Sequence, residues 1–159
     1  MMKLSANRGF TLIELMVTIA IVGIVSMIAV PNMIGWRAER KMRGAVNNLQ
    51  GDMQLARFRA IRDAENVAVV FNPGANSYTV FVDSNLSWTL DAGEDELRNV
   101  TLPVGVTLNT NFPPSGSNRT RFNSKGMPSV IGTVKLINTA DAKLDLVVNR
   151  VGRLQVKKG

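Results

Sequence analysis

The sequence predicts an α+β fold in which one long N-terminal helix packs on a β-rich C-terminal head. Three observations predict it. A charge-free apolar run covers residues 15–36, an amphipathic pattern with helical spacing follows it, and the rest of the chain changes to the alternation of β-strands. We therefore expect residues 10–36 and 37–64 to form one helix and residues 65–159 to form the head.

The apolar run has the length of a membrane-crossing helix. Its 22 residues would rise about 33 Å as a helix, against a hydrocarbon core of about 30 Å. A secretory signal peptide would have a shorter apolar core and a small-residue cleavage site, whereas here proline directly follows Val30. We expect a single membrane span, in which Pro31 either kinks the helix or costs it a hydrogen bond.

Beyond the run, apolar residues recur at spacings of four and three, which places them on one face of a helix. These residues are Met42, Val46, Leu49, Met53, Ala56 and Ala60. We expect this face to pack on the head, and we expect charged residues such as Asp52 and Arg57 to lie mostly on the other faces.

The head reads as seven or eight short strands that are separated by turns. The segment N-P-G-A-N-S at residues 72–77 indicates a hairpin between the first two strands. The expected strands are residues 67–71, 78–82, 98–102, 105–108, 119–123, 130–138, 143–149 and 153–157.

The composition excludes much enzymatic chemistry. The chain has no cysteine and no histidine, so it can form neither a disulfide framework nor a catalytic triad that needs either residue. A membrane-anchored hydrolase that uses the carboxylates of residues 83–96 is the enzymatic alternative, and we expect the protein not to be an enzyme. The formal net charge of +7 favours an anionic partner, either nucleic acid or a membrane surface, and the alternative is that the charge serves only solubility.

Residues 9–17 read G-F-T-L-I-E-L-M-V directly after a short basic leader. This segment closely resembles the signal of type IV prepilins and type II secretion pseudopilins. The resemblance implies that residues 1–9 are a leader, which a prepilin peptidase removes by cutting after Gly9 before it methylates Phe10. It also implies that Glu14 pairs with the N-terminal ammonium of the preceding subunit, which neutralises both charges inside an apolar bundle.

The resemblance also implies partners and a location. The partners would be other pilins or pseudopilins, the prepilin peptidase and an inner-membrane assembly platform. The protein would cross the bacterial inner membrane once, with its head in the periplasm, and would be extractable into a filament. Four basic residues within residues 37–43, against two before the span, favour the opposite orientation by the positive-inside rule, and we give the nine-residue motif precedence.

Short patterns in the head indicate which subfamily of these proteins the chain resembles. R-F-N-S-K-G at residues 121–126, G-T-V-K-L at 132–136 and V-N-R-V-G-R-L at 148–154 resemble the head of H-type minor pseudopilins and T/U-type minor pilins. The implied fold is type IV pilin-like, without the disulfide of many major pilins. The implied function is that of a minor subunit of a type II secretion pseudopilus. The alternative is a minor pilin that binds DNA for uptake.

The DNA alternative depends on a basic C-terminal tail. No acidic residue follows Asp145, whereas four basic residues do, and they could contact phosphates. These candidates are Arg150, Arg153, Lys157 and Lys158. The other interpretation is a solvated edge strand whose lysines prevent aggregation.

A calcium loop is the one cofactor site that the sequence suggests. Oxygen-bearing residues stand at the spacing of an EF-hand loop, although Trp88 occupies the position that wants glycine. The candidate ligands are Asp83, Asn85, Ser87, Asp91 and Glu94. The alternative is a solvated acidic loop, and no other cofactor is expected.

Overall fold

The computed structural model describes residues 9–159, without the side chains of residues 30–32 and 34. These residues form an α-helix, a short 3-10 turn and eight β-strands. The chain divides into two units, of which the first ends at Trp36 and the second begins at Arg37.

Helix α1 spans Leu12–Asp63, which confirms the predicted helix to within two residues at its start and one residue at its end. The chain is helical through position 31, so the proline does not interrupt the helix. The helix stops at Ala64, whose φ of +56° is left-handed and therefore ends the helical hydrogen-bond pattern.

The predicted apolar stripe on α1 is buried in the second unit. All six residues of the stripe are at most 2% exposed, and Ala45 joins them. Burial of this face is what a helix with apolar residues at spacings of three and four achieves when it packs on a sheet. The prediction that the stripe is core is confirmed.

All eight predicted strands are present in two antiparallel four-stranded sheets. The strands are β1 Val67–Asn72, β2 Ser77–Val82, β3 Glu96–Thr101, β4 Val106–Asn111, β5 Arg119–Phe122, β6 Gly132–Asn138, β7 Lys143–Val148 and β8 Leu154–Lys158. The order is β3-β2-β1-β5 in the first sheet and β4-β6-β7-β8 in the second. Strand β4 extends three residues beyond its predicted end, because residues 109–111 pair with β6 although their polar sequence carries no apolar signal.

The helix stripe and both sheets share one core. Phe71 of β1 stacks on Phe112 beyond β4, with ring centroids 5.5 Å apart and 10° between the planes. The backbone N–H of Leu108 donates to Asn76 Oδ1 at 2.9 Å, which ties β4 to the hairpin between β1 and β2. These contacts join the two sheets into one head.

Tyr78, the single tyrosine of the chain, predicts how the head responds to alkali. Its hydroxyl donates to Asp52 Oδ2 at 2.7 Å, and burial followed by this hydrogen bond raises the pKa of Tyr78 well above its usual value. In the unfolded chain the phenol ionises near pH 10, roughly the model-peptide value. The contribution of Tyr78 to the free energy of unfolding should therefore be complete below that pH and be lost as the pH rises above it. An ultraviolet titration should show ionisation only with unfolding, and Tyr78→Phe should lack this part of the pH dependence. Reversible ionisation near pH 10 in the folded head would contradict this account.

Candidate processing, assembly and binding sites

The predicted processing site lies before the helix. Gly9 and Phe10 are exposed and non-helical, and Phe10 is 84% exposed. The peptide bond between these two residues is therefore accessible from solvent, and cleavage there stays a prediction. The predicted leader otherwise falls at residues 1–8, outside the described part of the chain.

Glu14 lies in the first turn of α1, and it is the only charged residue from Gly9 to Trp36. Its backbone N–H donates to Thr11 Oγ1 at 3.3 Å, so Thr11 caps the helix. The carboxylate therefore stands at the positive end of the helix dipole, where a negative charge is favourable. The spacing T-x-x-E is that of a capping box, a signal from which the sequence could have identified Thr11.

The first half of α1 is apolar on all sides. Leu12–Ala29 has a mean hydropathy of 2.5 and no buried residue, and by length and composition it is able to cross a membrane. The hydroxyl groups of Thr18 and Ser26 donate to the carbonyl oxygens of Glu14 and Val22, at 2.6 and 2.7 Å. These bonds satisfy the hydroxyl groups within the helix, which apolar surroundings require.

Arg57 connects two of the head's short motifs, the one that ends at Gly126 and the one that contains Gly152. Its guanidinium donates from Nε to the carbonyl oxygen of Gly126 at 3.0 Å, and from a terminal nitrogen to that of Gly152 at 3.2 Å. Both glycines have left-handed backbones, with φ of +69° and +73°. The apolar spacing predicts Arg57 on an outer face of the helix, whereas in the structure its side chain is half-buried against these loops. The apolar pattern could not reveal this because it does not report on what a long polar side chain reaches.

The loop between β2 and β3 is fixed to β5 by a buried ion pair. Arg121 Nε donates to Asp83 Oδ2 at 2.9 Å, and the guanidinium of Arg121 lies 3.8 Å from the centroid of the Trp88 ring. Asp83 is fully buried, and among the described residues none donates a hydrogen bond to its Oδ1. Trp88 adopts a left-handed φ of +68°, which places its indole over the arginine.

The candidate calcium ligands are divided by this ion pair. Asp83 is directed to Arg121, while Asp91 Oδ2 accepts hydrogen bonds from Asn85 and Ser87, both at 2.8 Å. The bonds from Asn85 and then Ser87 lower the pKa of the Asp91 carboxyl. Glu94 accepts from backbone N–H groups of the same loop. Among the described residues, no group of three acidic side chains is placed to hold a metal ion, and calcium binding stays a prediction.

The structure separates the four candidate DNA-binding residues into two pairs. Arg150 and Arg153 lie at the turn before β8, beside Gly152 and therefore near Arg57 of α1. Lys157 and Lys158 lie at the other end of β8, in a cleft that Glu39 and Arg43 of α1 also line. The two ends of β8 thus meet parts of α1 that are about 20 Å apart along the helix. The four charges do not form one continuous patch.

The fold and the N-terminal segment define a pilin-like protein. A family model described as "Type II transport protein GspH" matches residues 45–152, and a second, described as "Prokaryotic N-terminal methylation motif", matches residues 4–30. The first match covers more than half of the chain. The chain belongs to the GspH family of pseudopilins.

Solved structures share this fold. The minor pseudopilin EpsH of the type 2 secretion system of Vibrio cholerae superposes with a TM-score of 0.60 at 14% identity, covering 74% of this chain and 97% of EpsH. The type IV minor pilin FimU of Pseudomonas aeruginosa superposes with a TM-score of 0.58 at 15% identity, covering 77% of this chain and 92% of FimU.

Two curated relatives differ in how much of them is matched. "Pilin-like protein PilA1" of Thermus thermophilus is 29% identical over an alignment of 157 residues. The alignment covers 95% of this chain and 99% of that protein. The "Type IV major pilin protein PilA" of Myxococcus xanthus is 54% identical over 44 residues, which is 28% of this chain and only 20% of that protein. The resemblance to PilA is therefore limited to a short segment.

Proposed function

We propose that the protein is a minor subunit of a type II secretion pseudopilus, processed after Gly9 and assembled through its N-terminal helix. One observation carries the proposal. An apolar helix with a single charge, Glu14 in its first turn, follows an accessible Gly9–Phe10 bond and leads into a GspH-family head. The role is structural, in support of protein secretion, and it uses no catalytic residue.

In the proposed assembly, cleavage creates a new N-terminal ammonium on Phe10, and the peptidase methylates it. Glu14 of the next subunit then pairs with that ammonium inside the apolar bundle. Neither charge would be tolerated alone there, because an unpaired buried charge is strongly destabilising. The platform of the inner membrane would extract the subunit from a single-pass position in which the head is periplasmic.

The outward face of α1 in the head supports a second assembly contact. Phe58 and Ile61 are 59% and 48% exposed, and Gly44 and Gly51 on the same face have nothing within 4 Å of an added Cβ. A face with small and apolar residues allows another helix to approach closely. We assign this face to contact with neighbouring subunits of the filament.

Glu14→Ala tests the assembly mechanism. The variant should enter isolated filaments at least roughly tenfold less than the wild type, because the ammonium of its neighbour would lose its buried partner. Glu39→Ala is the matched control, since Glu39 is an exposed acid on the same helix that pairs with Arg43. The measurement compares filament and membrane fractions by quantitative immunoblot. Equal incorporation of both variants would contradict the proposed role of Glu14.

Gene deletion tests which machine the subunit serves. We expect loss of the chain to reduce protein secretion and to leave piliation and DNA uptake unchanged. Loss of pili or of DNA uptake, with secretion intact, would instead support the alternative of a type IV pilus.

A further inference from the structure

The outer face of the second sheet carries positive charge next to an open groove. The strand register and the burial of alternate residues define this face, which points away from the core. Its charged residues on β6, β7 and β8 are three lysines and one aspartate, with a net charge of +2, namely Lys135, Lys143, Lys157 and Asp145. We propose that this face binds the acidic loop between β2 and β3 of a second copy of the chain.

The register places the three lysines around the aspartate. Lys135 and Lys157 stand opposite Asp145 on its two sides, so their Cα atoms are about 10 Å apart. Lys143 stands two residues from Asp145 on the same strand and the same face, a distance of about 7 Å. Because one carboxylate cannot neutralise three ammonium groups, the face attracts an acidic partner.

The groove lies on the same face, one row further along the strands. It has a volume of about 410 Å³, and the paired residues Thr133 and Val147 line it, each two residues from Lys135 or Asp145. Ile131 also lines the groove and is 41% exposed, so it offers an apolar contact. The other lining residues are Asn111, Pro113, Gly132 and Val148. A partner that fits both features carries an apolar side chain next to several carboxylates.

The loop between β2 and β3 has this chemistry. Residues 83–97 contain five of the twelve acidic residues of the chain and no basic residue. Leu90 is 41% exposed and begins the run L-D-A-G-E-D-E of residues 90–96, in which four of seven residues are acidic. An exposed leucine followed by four carboxylates complements a groove with an apolar wall that is bordered by lysines.

Hydrogen bonds within the loop prepare it for docking. Asp91 accepts from the side chains of Asn85 and Ser87, and Glu94 accepts from the backbone N–H groups of Ser84 and Asp91. A loop that is already ordered loses little conformational entropy when it binds. Leu90 lies within this network and is exposed to solvent, where another molecule can reach it.

The contact joins two different surfaces and can therefore repeat from copy to copy. The loop is fixed to β5 of the first sheet through Asp83 and Arg121, so it is available to the second sheet of another copy and not to that of its own. Contacts between unlike surfaces generate open helical arrays when they do not close into a ring. The inference concerns the heads, and it depends neither on cleavage after Gly9 nor on the pairing of Glu14.

Disulfide cross-linking tests the contact, because the chain has no cysteine of its own. Full-length protein with Leu90→Cys is mixed in detergent micelles with a longer, tagged form that carries Ile131→Cys, and the mixture is mildly oxidised. A docked pair has a high effective concentration, so the mixed disulfide should exceed that of a control pair at least roughly tenfold on a non-reducing gel. The control replaces Leu90→Cys with Val104→Cys, at a residue that is 90% exposed beyond the other end of β3.

Charge reversal tests the chemistry of the contact. Lys135→Glu in the Ile131→Cys form should reduce the cross-link roughly tenfold, since it brings like charges together. Glu96→Lys in the Leu90→Cys form should then restore it. Lys125→Glu, in the exposed turn before β6, is the matched control and should leave the cross-link unchanged. Thermal unfolding verifies that each variant is folded.

The proposal is overturned if the Leu90 and Val104 pairs cross-link equally, or if Glu96→Lys does not restore the cross-link. Efficient cross-linking of the Ile131→Cys form with itself would show that two sheet faces meet, and it would also overturn the proposal. The face would belong to a nucleic acid instead if Lys135→Glu abolished a DNA gel shift and left the cross-link unchanged.

Discussion

Arg121→Ala is expected to lower the free energy of unfolding of the head by about 3–5 kcal/mol, because it leaves the buried carboxylate of Asp83 without its partner. The side chains of Arg121 and Asp83 are 11% and 0% exposed, so solvent screens the pair little. One oxygen of Asp83 accepts no hydrogen bond from any residue that the structure describes, which makes the bonds to the other oxygen more important. Chemical denaturation followed by circular dichroism measures the effect.

Arg119→Ala is the control for this experiment. Arg119 lies on the same strand and stacks on the same indole at 4.7 Å, but in the described part of the chain it forms no ion pair with Asp83. Its loss should cost about 0.5–1 kcal/mol. The double variant Asp83→Asn, Arg121→Met should recover part of the stability, since it removes the uncompensated charge. Equal effects of the two single arginine variants would show that the ion pair does not fix the loop.

Gly152→Ala is expected to lower the free energy of unfolding by about 2–5 kcal/mol, which combines left-handed backbone strain with overpacking. The backbone φ at Gly152 is +73°, and an added Cβ would collide with the carbonyl oxygen of Gly126 and lie 3.0 Å from Arg57 Nε. The substitution would therefore disturb the site where one arginine holds both loops to α1. Denaturation midpoints provide the measurement.

Gly93→Ala separates the two causes. Gly93 also has a positive φ, of +94°, but nothing lies within 4 Å of an added Cβ. Its substitution should therefore cost only the backbone strain, about 1–2 kcal/mol. If Gly152→Ala is no more destabilising than this control, the packing of the loops on Arg57 is not the reason for the glycine.

Periodicity explains why most of the fold could be predicted. The stripe from Met42 to Ala60 and the alternation in strands such as β1 record which face is buried, and burial is what the sequence pattern encodes most directly. The predicted ends of strands were less accurate where the paired residues are polar, because polar residues give no signal of strand pairing in the sequence. The second half of β4, residues 109–111, is polar yet pairs fully with β6.

Contacts between distant polar residues could not be predicted in this way. Arg57 lies 69 and 95 residues from its two carbonyl partners, and Asp83 lies 38 residues from Arg121. No local pattern connects such pairs, so the sequence pattern placed Arg57 on an outer face and gave no sign of the contact between Asp83 and Arg121. The short glycine motifs were recognisable by resemblance, but their physical reason appeared only with the backbone conformation and the position of Arg57.

The structure shows where the excess of basic residues lies. Four basic residues lie directly after the apolar run, and the basic tail contributes only its second pair to the cleft beside them. This arrangement brings positive charge from distant parts of the sequence to the N-terminal end of the helix within the head unit. The two basic pairs of the tail thus lie at opposite ends of β8, and DNA binding by these residues stays a prediction.

Mass spectrometry of the protein isolated from its native membrane shows whether the chain is processed as a filament subunit. We expect a mature chain that begins at Phe10 and carries a methyl group on its amino terminus, with Gly9 and the preceding residues absent. A chain that retains Met1, or that is cut within the apolar helix, would contradict the assignment as a processed filament subunit.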